Sequence, residues 1–192
     1  MDFVSIDFET ATSLPTSVCS LGMCVVSENK IVHNEEILIK PVPFEFNEYN
    51  IYIHGITPAK VSGRMTFNCY WDYIKPYIDN KLVIAHNAAF DVGALRNTLD
   101  MFNLEYPTFD YICTVKLSQL AYPELTSHKL NNLCDALGIK FKHHHSKDDS
   151  YACAMVLLRI MEDYKLKSLE DIEDFFGIGI GKLSPGYHEP CR

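Results

Sequence analysis

The chain of 192 residues predicts an α/β fold: a mixed sheet that opens with a three-strand antiparallel meander, continues with parallel strands and carries helices on both faces. Three observations carry that expectation. Apolar and polar residues alternate from Val4 to Glu9, which is the period of a strand. The first three strand-like segments are joined by connections too short for crossover helices. Beyond them, short apolar runs alternate with segments of helical periodicity, the texture of successive strand–helix units.

Along the first strand Val4, Ile6 and Phe8 point one way and Ser5, Asp7 and Glu9 the other. A second apolar run spans Ser20 to Val26, and the turn SENK leads to a third strand from Ile31 to Lys40, ended by Pro41 and Pro43. After a loop containing HGIT and Pro58, a helix is predicted from Thr66 to Ile78, with Phe67, Tyr70, Trp71 and Ile74 at helical spacing. Leu82 to Ala85 reads as a short buried strand and Asp91 to Phe102 as a helix. Tyr111 to Cys113 is a further short strand, followed by helices over Val115 to Ala121, Leu130 to Leu137 (closed by Gly138) and Asp148 to Tyr164. Residues 1–166 form the predicted main domain, and 167–192 a C-terminal extension of one short helix and a Gly/Pro-rich tail, irregular from Gly177 onward.

Composition narrows the function. Hydrophobic residues make up 47% of the chain and charged ones 22%, the balance of a globular domain. No apolar run approaches the roughly 18 residues of a membrane-spanning helix, and MDFVSIDFET has no basic n-region, so a cytoplasmic protein without membrane contact is expected. The net charge of −8 excludes a coat of lysine and arginine for gripping polyanions, so any contact with nucleic acid needs bound cations or a short local grip. Seven cysteines form no CxxC pair, which points to reduced, buried thiols rather than disulfides or zinc.

Four carboxylates are placed together by periodicity. Asp7 and Glu9 share one face of the first strand, about 6.6 Å apart along its axis. On a solvent-facing edge that pair would mean little, but the first strand of a meander that continues into parallel units tends to be central and covered on both faces. Asp91 heads the stripe Ala94, Leu95, Thr98, Leu99 and Phe102 that packs on the sheet, and Asp149 heads Ala152, Cys153, Val156, Leu157 and Ile160 in the same register. Asp148 lies about 100° away and faces outward. Carboxylates gathered without sulfur ligands suit Mg²⁺ or Mn²⁺. Two such ions about 4 Å apart hold the attacking and leaving oxygens of a phosphodiester in line. A water nucleophile also needs a base, and His143, His144 and His145 precede the last long helix.

These residues resemble a known family. DFET at 7–10, IHGI at 53–56, AHNAAFD at 85–91 and HHSKDD at 144–149 are similar to the motifs of DEDDh, or DnaQ-like, 3′–5′ exonucleases, including the proofreading epsilon type of bacterial DNA polymerase III. The resemblance runs in order from about Val4 to Ile160 and implies a ribonuclease H-like fold. It implies that Asp7, Glu9, Asp91 and Asp149 hold two divalent metals, and that His144, which satisfies H-x4-D against Asp149, is the general base. It further implies that Thr10, His54 and Phe90 contact the terminal nucleotide. The activity it implies is stepwise release of nucleoside monophosphates from single-stranded or frayed 3′ ends of DNA, with an exoribonuclease or short-oligonucleotide nuclease of the same fold as the alternative. A polymerase partner and the oligomeric state stay open, because no polymerase-binding tail is evident in the sequence. Two other classes compete. A non-catalytic binding module would lack one of the five proposed catalytic positions, and all five are present; a calcium-binding structural domain would carry a D-x-D-x-D-G loop, and none is present.

Overall fold

The computed structural model describes residues 1–142 and 145–192. The chain runs β1 (Phe3–Thr10), β2 (Val18–Ser27), β3 (Lys30–Leu38), then α1 (Glu48–His54), α2 (Pro58–Val61) and α3 (Phe67–Ile78). It continues through β4 (Leu82–Ala85), α4 (Ala88–Phe102), β5 (Phe109–Cys113), α5 (Thr114–Ala121) and α6 (Leu130–Leu137). It closes with α7 (Ser146–Tyr164), α8 (Leu169–Phe176), β6 (Gly181–Ser184) and β7 (Tyr187–Glu189). The seven strands form one sheet in the order β3-β2-β1-β4-β5-β6-β7. β1, β2 and β3 are antiparallel, β1–β4 and β4–β5 are parallel, and β6 and β7 return antiparallel beyond β5. The predicted mixed sheet is therefore the observed one.

Helices cover both faces. Phe8, on the apolar side of β1, packs against Phe67 of α3 with ring centroids 6.3 Å apart. The opposite side of β1 carries Asp7, paired across the ladder with Gly22 of β2. That side lies under α7, because a Cβ on Gly22 would stand 1.8 Å from the Ser146 carbonyl oxygen. Only glycine lets the helix come so close.

Three sequence expectations need correction. α1 and α2 fall where a loop was expected. Both are short: Asn47 caps α1 by accepting from the Tyr49 N–H at 2.8 Å, and Pro58 starts α2. α4 begins at Ala88 rather than Asp91, because Asn87 takes a left-handed conformation (φ 71°) and turns the chain off β4 at once. The tail from Gly177 is not irregular: β6 pairs with β5 and β7 folds back on β6. Ile172, Ile178, Leu183 and Cys191 are buried in the main core, so the C-terminal segment completes the sheet. Gly181 sits opposite Tyr111, where a Cβ would stand 2.3 Å from the phenol ring, so the glycine read as a loop signal is the residue that permits the pairing.

Candidate active site

The site grows from the ladder register. Asp7 and Glu9 project from the C-terminal half of β1 on the face that α7 covers. The first turn of α7 rests on Gly22, and Asp149 is in that turn. One ligand oxygen from each of Asp7, Glu9 and Asp149 lies within 4.8 Å of the others. Asp149 is buried and Asp148 is half-exposed, as the helical period predicts. Asp91, from the first turn of α4, is only 2% exposed. Its Oδ1 accepts the Phe8 N–H at 2.9 Å, which fixes the carboxylate against β1 beside Asp7. The four acids that the sequence singled out are brought to one end of the sheet, with Asp91 next to the three-carboxylate set rather than within its 4.8 Å spacing.

Such crowding has an electrostatic signature. Burial, then the neighbouring Asp91, Asp149 and Glu9, push the Asp7 carboxyl well above the usual carboxylate range. Burial, then Asp149, Asp91 and Glu36, push Glu9 up to about 8. Burial lifts Asp91 to about 7 against the opposing pull of the Phe8 N–H. Buried carboxyls whose charged forms are disfavoured first by burial and then by neighbouring acids make a site short of positive charge. The donor set fits hard divalent cations: the converging side-chain donors are carboxylate oxygens, with no thiolate or imidazole among them in the described residues.

A further carboxylate was not legible in the sequence. Glu36 of β3 stands opposite Gly22 on the same row as Asp7. Its Oε1 accepts from Ser20 Oγ at 3.1 Å and Ser146 Oγ at 3.2 Å, and the two hydroxyls are themselves 2.6 Å apart. This triangle ties β2, β3 and the first turn of α7 together beneath Asp149. Its sequence signal is weak, a polar residue among several polar neighbours on β3.

His54 is 5% exposed. Its Nδ1 accepts the Ile56 N–H at 3.0 Å, which leaves the proton on Nε2 to face the Thr10 carbonyl at 3.2 Å. Asn50 Nδ2 donates to the same carbonyl at 2.9 Å. His54 and Thr10 are therefore joined, and α1 holds the backbone just past the Asp7/Glu9 pair. Phe90, one residue before Asp91, presents a ring 43% exposed at the head of α4. His86, within AHNAAFD, is neutral: burial pushes its pKa down to about 4, and Nε2 donates to the His128 carbonyl at 2.9 Å. It anchors the segment before α6, a role that depends on a carbonyl 42 residues away and leaves no mark in the local motif. His144 lies outside the described residues.

A family model described as exonuclease (RNase_T) matches residues 4–157. The chain belongs to the exonuclease family. Within that family it is of the DEDDh, DnaQ-like type that its motifs resemble. Members of the family generally use divalent metals. A PolC-type DNA polymerase III of Clostridium perfringens is 31% identical over 181 residues, covering 90% of this chain. The chain spans only about an eighth of the curated relatives it matches, 12% in that case. Among solved structures, exonuclease X in complex with 5′ overhanging duplex DNA superposes with a TM-score of 0.74 at 24% identity, covering 91% of this chain and 99% of that one. The nuclease domain of 3′hExo, a DEDDh family member bound to rAMP, gives 0.71 at 19% identity over 87% and 94% of the two chains. At these identities the superpositions establish the shared fold. No helix among the described residues is long and apolar enough to cross a membrane.

Proposed function

We propose that this exonuclease hydrolyses the terminal phosphodiester of a nucleic-acid strand from its 3′ end, releasing nucleoside monophosphates, with DNA as the favoured substrate. The observation that carries the reading is the convergence of Asp7, Glu9 and Asp149 within 4.8 Å, with Asp91 beside them. These four residues would hold two divalent cations, Mg²⁺ or Mn²⁺. Bound there, the cations supply the positive charge that a phosphodiester transition state needs and that a chain of net charge −8 does not provide.

The remaining steps belong to the protein. His144 takes the proton of the attacking water, a role supported by its H-x4-D spacing to Asp149. The backbone at Thr10, held by His54 and Asn50, positions the terminal nucleotide, and the exposed ring of Phe90 offers its base a stacking surface. The DNA preference is supported by the likeness to PolC-type polymerases. RNA is the second reading, favoured by the rAMP bound to the 3′hExo neighbour. A polymerase partner is supported by the same PolC likeness alone.

Digestion of end-labelled DNA and RNA strands of one sequence in Mn²⁺ tests this. Mononucleotides released from the 3′ terminus, none in EDTA, and faster loss of DNA are expected. Internal fragments, 5′ release or full activity in EDTA would overturn the proposal.

A further inference from the structure

We propose that the cavity enclosed by α4, β5, α5 and the C-terminal hairpin is an anion-binding site for a phosphate group. The cavity, about 170 Å³, is walled by Ala88, Val92, Arg96, Tyr111, Lys116 and His188 among others, and no carboxylate lines it. In a chain with 25 acidic and 17 basic side chains, a pocket with two permanent cations and no acid is an outlier.

The cations are held in place without being neutralised. Arg96 Nη1 donates to His188 Nδ1 at 2.9 Å. An arginine only donates, so His188 is neutral and its Nε2–H faces the Tyr111 hydroxyl at 2.9 Å. The His188 and Tyr111 rings stack at 6° to one another. Among the described residues Arg96 has no carboxylate within ion-pair distance, and its buried Nε has no hydrogen-bond partner. Lys116 Nζ donates to the Cys191 carbonyl at 2.5 Å, again a neutral acceptor. Arg96 and Lys116 therefore bring two cations whose hydrogen-bond partners are neutral to one cavity, and an oxyanion there would complete the arrangement by charge-assisted hydrogen bonds. Asn87, Ala88 and Ala89, at the start of α4, form one wall and add the favourable end of a 15-residue helix.

That wall is the back of the turn carrying Phe90 and Asp91, so an occupant would buttress the candidate active site. The choice of phosphate among anions rests on the exonuclease reading; the existence of an anion site does not. The phosphate belongs either to a free phosphate or nucleotide, or to the backbone of a bound strand.

The test uses the full chain in EDTA at fixed ionic strength. Replacing chloride with excess inorganic phosphate is expected to raise Tm by roughly 3 °C. Arg96→Gln and Lys116→Gln are each expected to lose at least half of that shift; Lys116 is exposed, so its variant reports even if Arg96→Gln folds poorly. A single-stranded oligonucleotide separates the two sources. If the strand supplies the phosphate, Lys116→Gln raises its Kd severalfold and flattens the slope of log affinity against log salt by about 0.7. If a free phosphate is the occupant, oligonucleotide affinity stays the same while the Tm shift is lost. No shift in the wild type, or equal shifts in wild type and both variants, would overturn the proposal. A phosphate-dependent shift in a chain that fails to cleave strands in Mn²⁺ would remove the exonuclease reading and leave the anion site standing.

Discussion

Replacing Asp91 with asparagine is expected to make the metal-free protein more stable while abolishing hydrolysis. Asp91 is 2% exposed, and burial lifts its carboxyl to about 7 in the folded chain. An unfolded aspartate titrates near 3.9, so ionising this one costs the fold about 4 kcal/mol once the pH is well above 7. The native state keeps a proton that the unfolded chain gives up, so the stability is fully present below about pH 4 and is lost as pH rises through about 7. Asparagine retains an oxygen for the Phe8 N–H and carries no charge. The gross gain of about 4 kcal/mol at pH 8 is reduced by about 1–2 kcal/mol for the new amide donors. The net amounts to roughly 5–10 °C for a domain of this size. At pH 4 the ionisation gain falls below about 1 kcal/mol. Thermal unfolding in EDTA at pH 4 and pH 8 reads both limits. An Asp91→Asn variant no more stable than wild type at pH 8, or equally favoured at both pH values, would refute the reasoning.

Substitutions at three other positions probe the site. Gly22→Ala drives a methyl into the Ser146 carbonyl and is expected to cost about 1–3 kcal/mol by thermal unfolding, and to weaken the stabilisation given by Mn²⁺ because the turn carrying Asp149 must move. Glu36→Ala lets one of the Ser20 and Ser146 hydroxyls donate to the other but leaves the second without an acceptor, at about 1–3 kcal/mol in chemical denaturation, whereas Glu36→Gln, which keeps an oxygen, retains most of that stability. His144→Ala is expected to lower the rate of strand hydrolysis about 10²–10⁴-fold while the rise in Tm caused by Mn²⁺ stays at the wild-type value.

Much of this arrangement was legible in the sequence because it follows from period and burial. Alternation along β1 placed Asp7 and Glu9 on one face, and the helical period chose Asp149 over Asp148. What stayed hidden depends on contacts between distant segments. Gly22 looks like an ordinary strand residue until α7 lies across it, and Glu36 acquires a role only when Ser20 and Ser146 arrive from other elements. The tail reads as a loop because Gly181 is a turn signal locally, and only the Tyr111 ring opposite explains it. The start of α4 was missed by three residues because the left-handed Asn87 gives the helix no side-chain cap to recognise.

If the crowded carboxylates on β1, α4 and α7 hold divalent cations as proposed, bound Mn²⁺ can be counted. Electron paramagnetic resonance on the wild-type chain and on Asp7→Ala, at pH 8 without nucleic acid, gives the stoichiometry free of any assay of turnover. Two ions per chain in the wild type, with the pair lost in Asp7→Ala, is the expected result. Binding of less than one ion, or the same binding after Asp7 is removed, would contradict it.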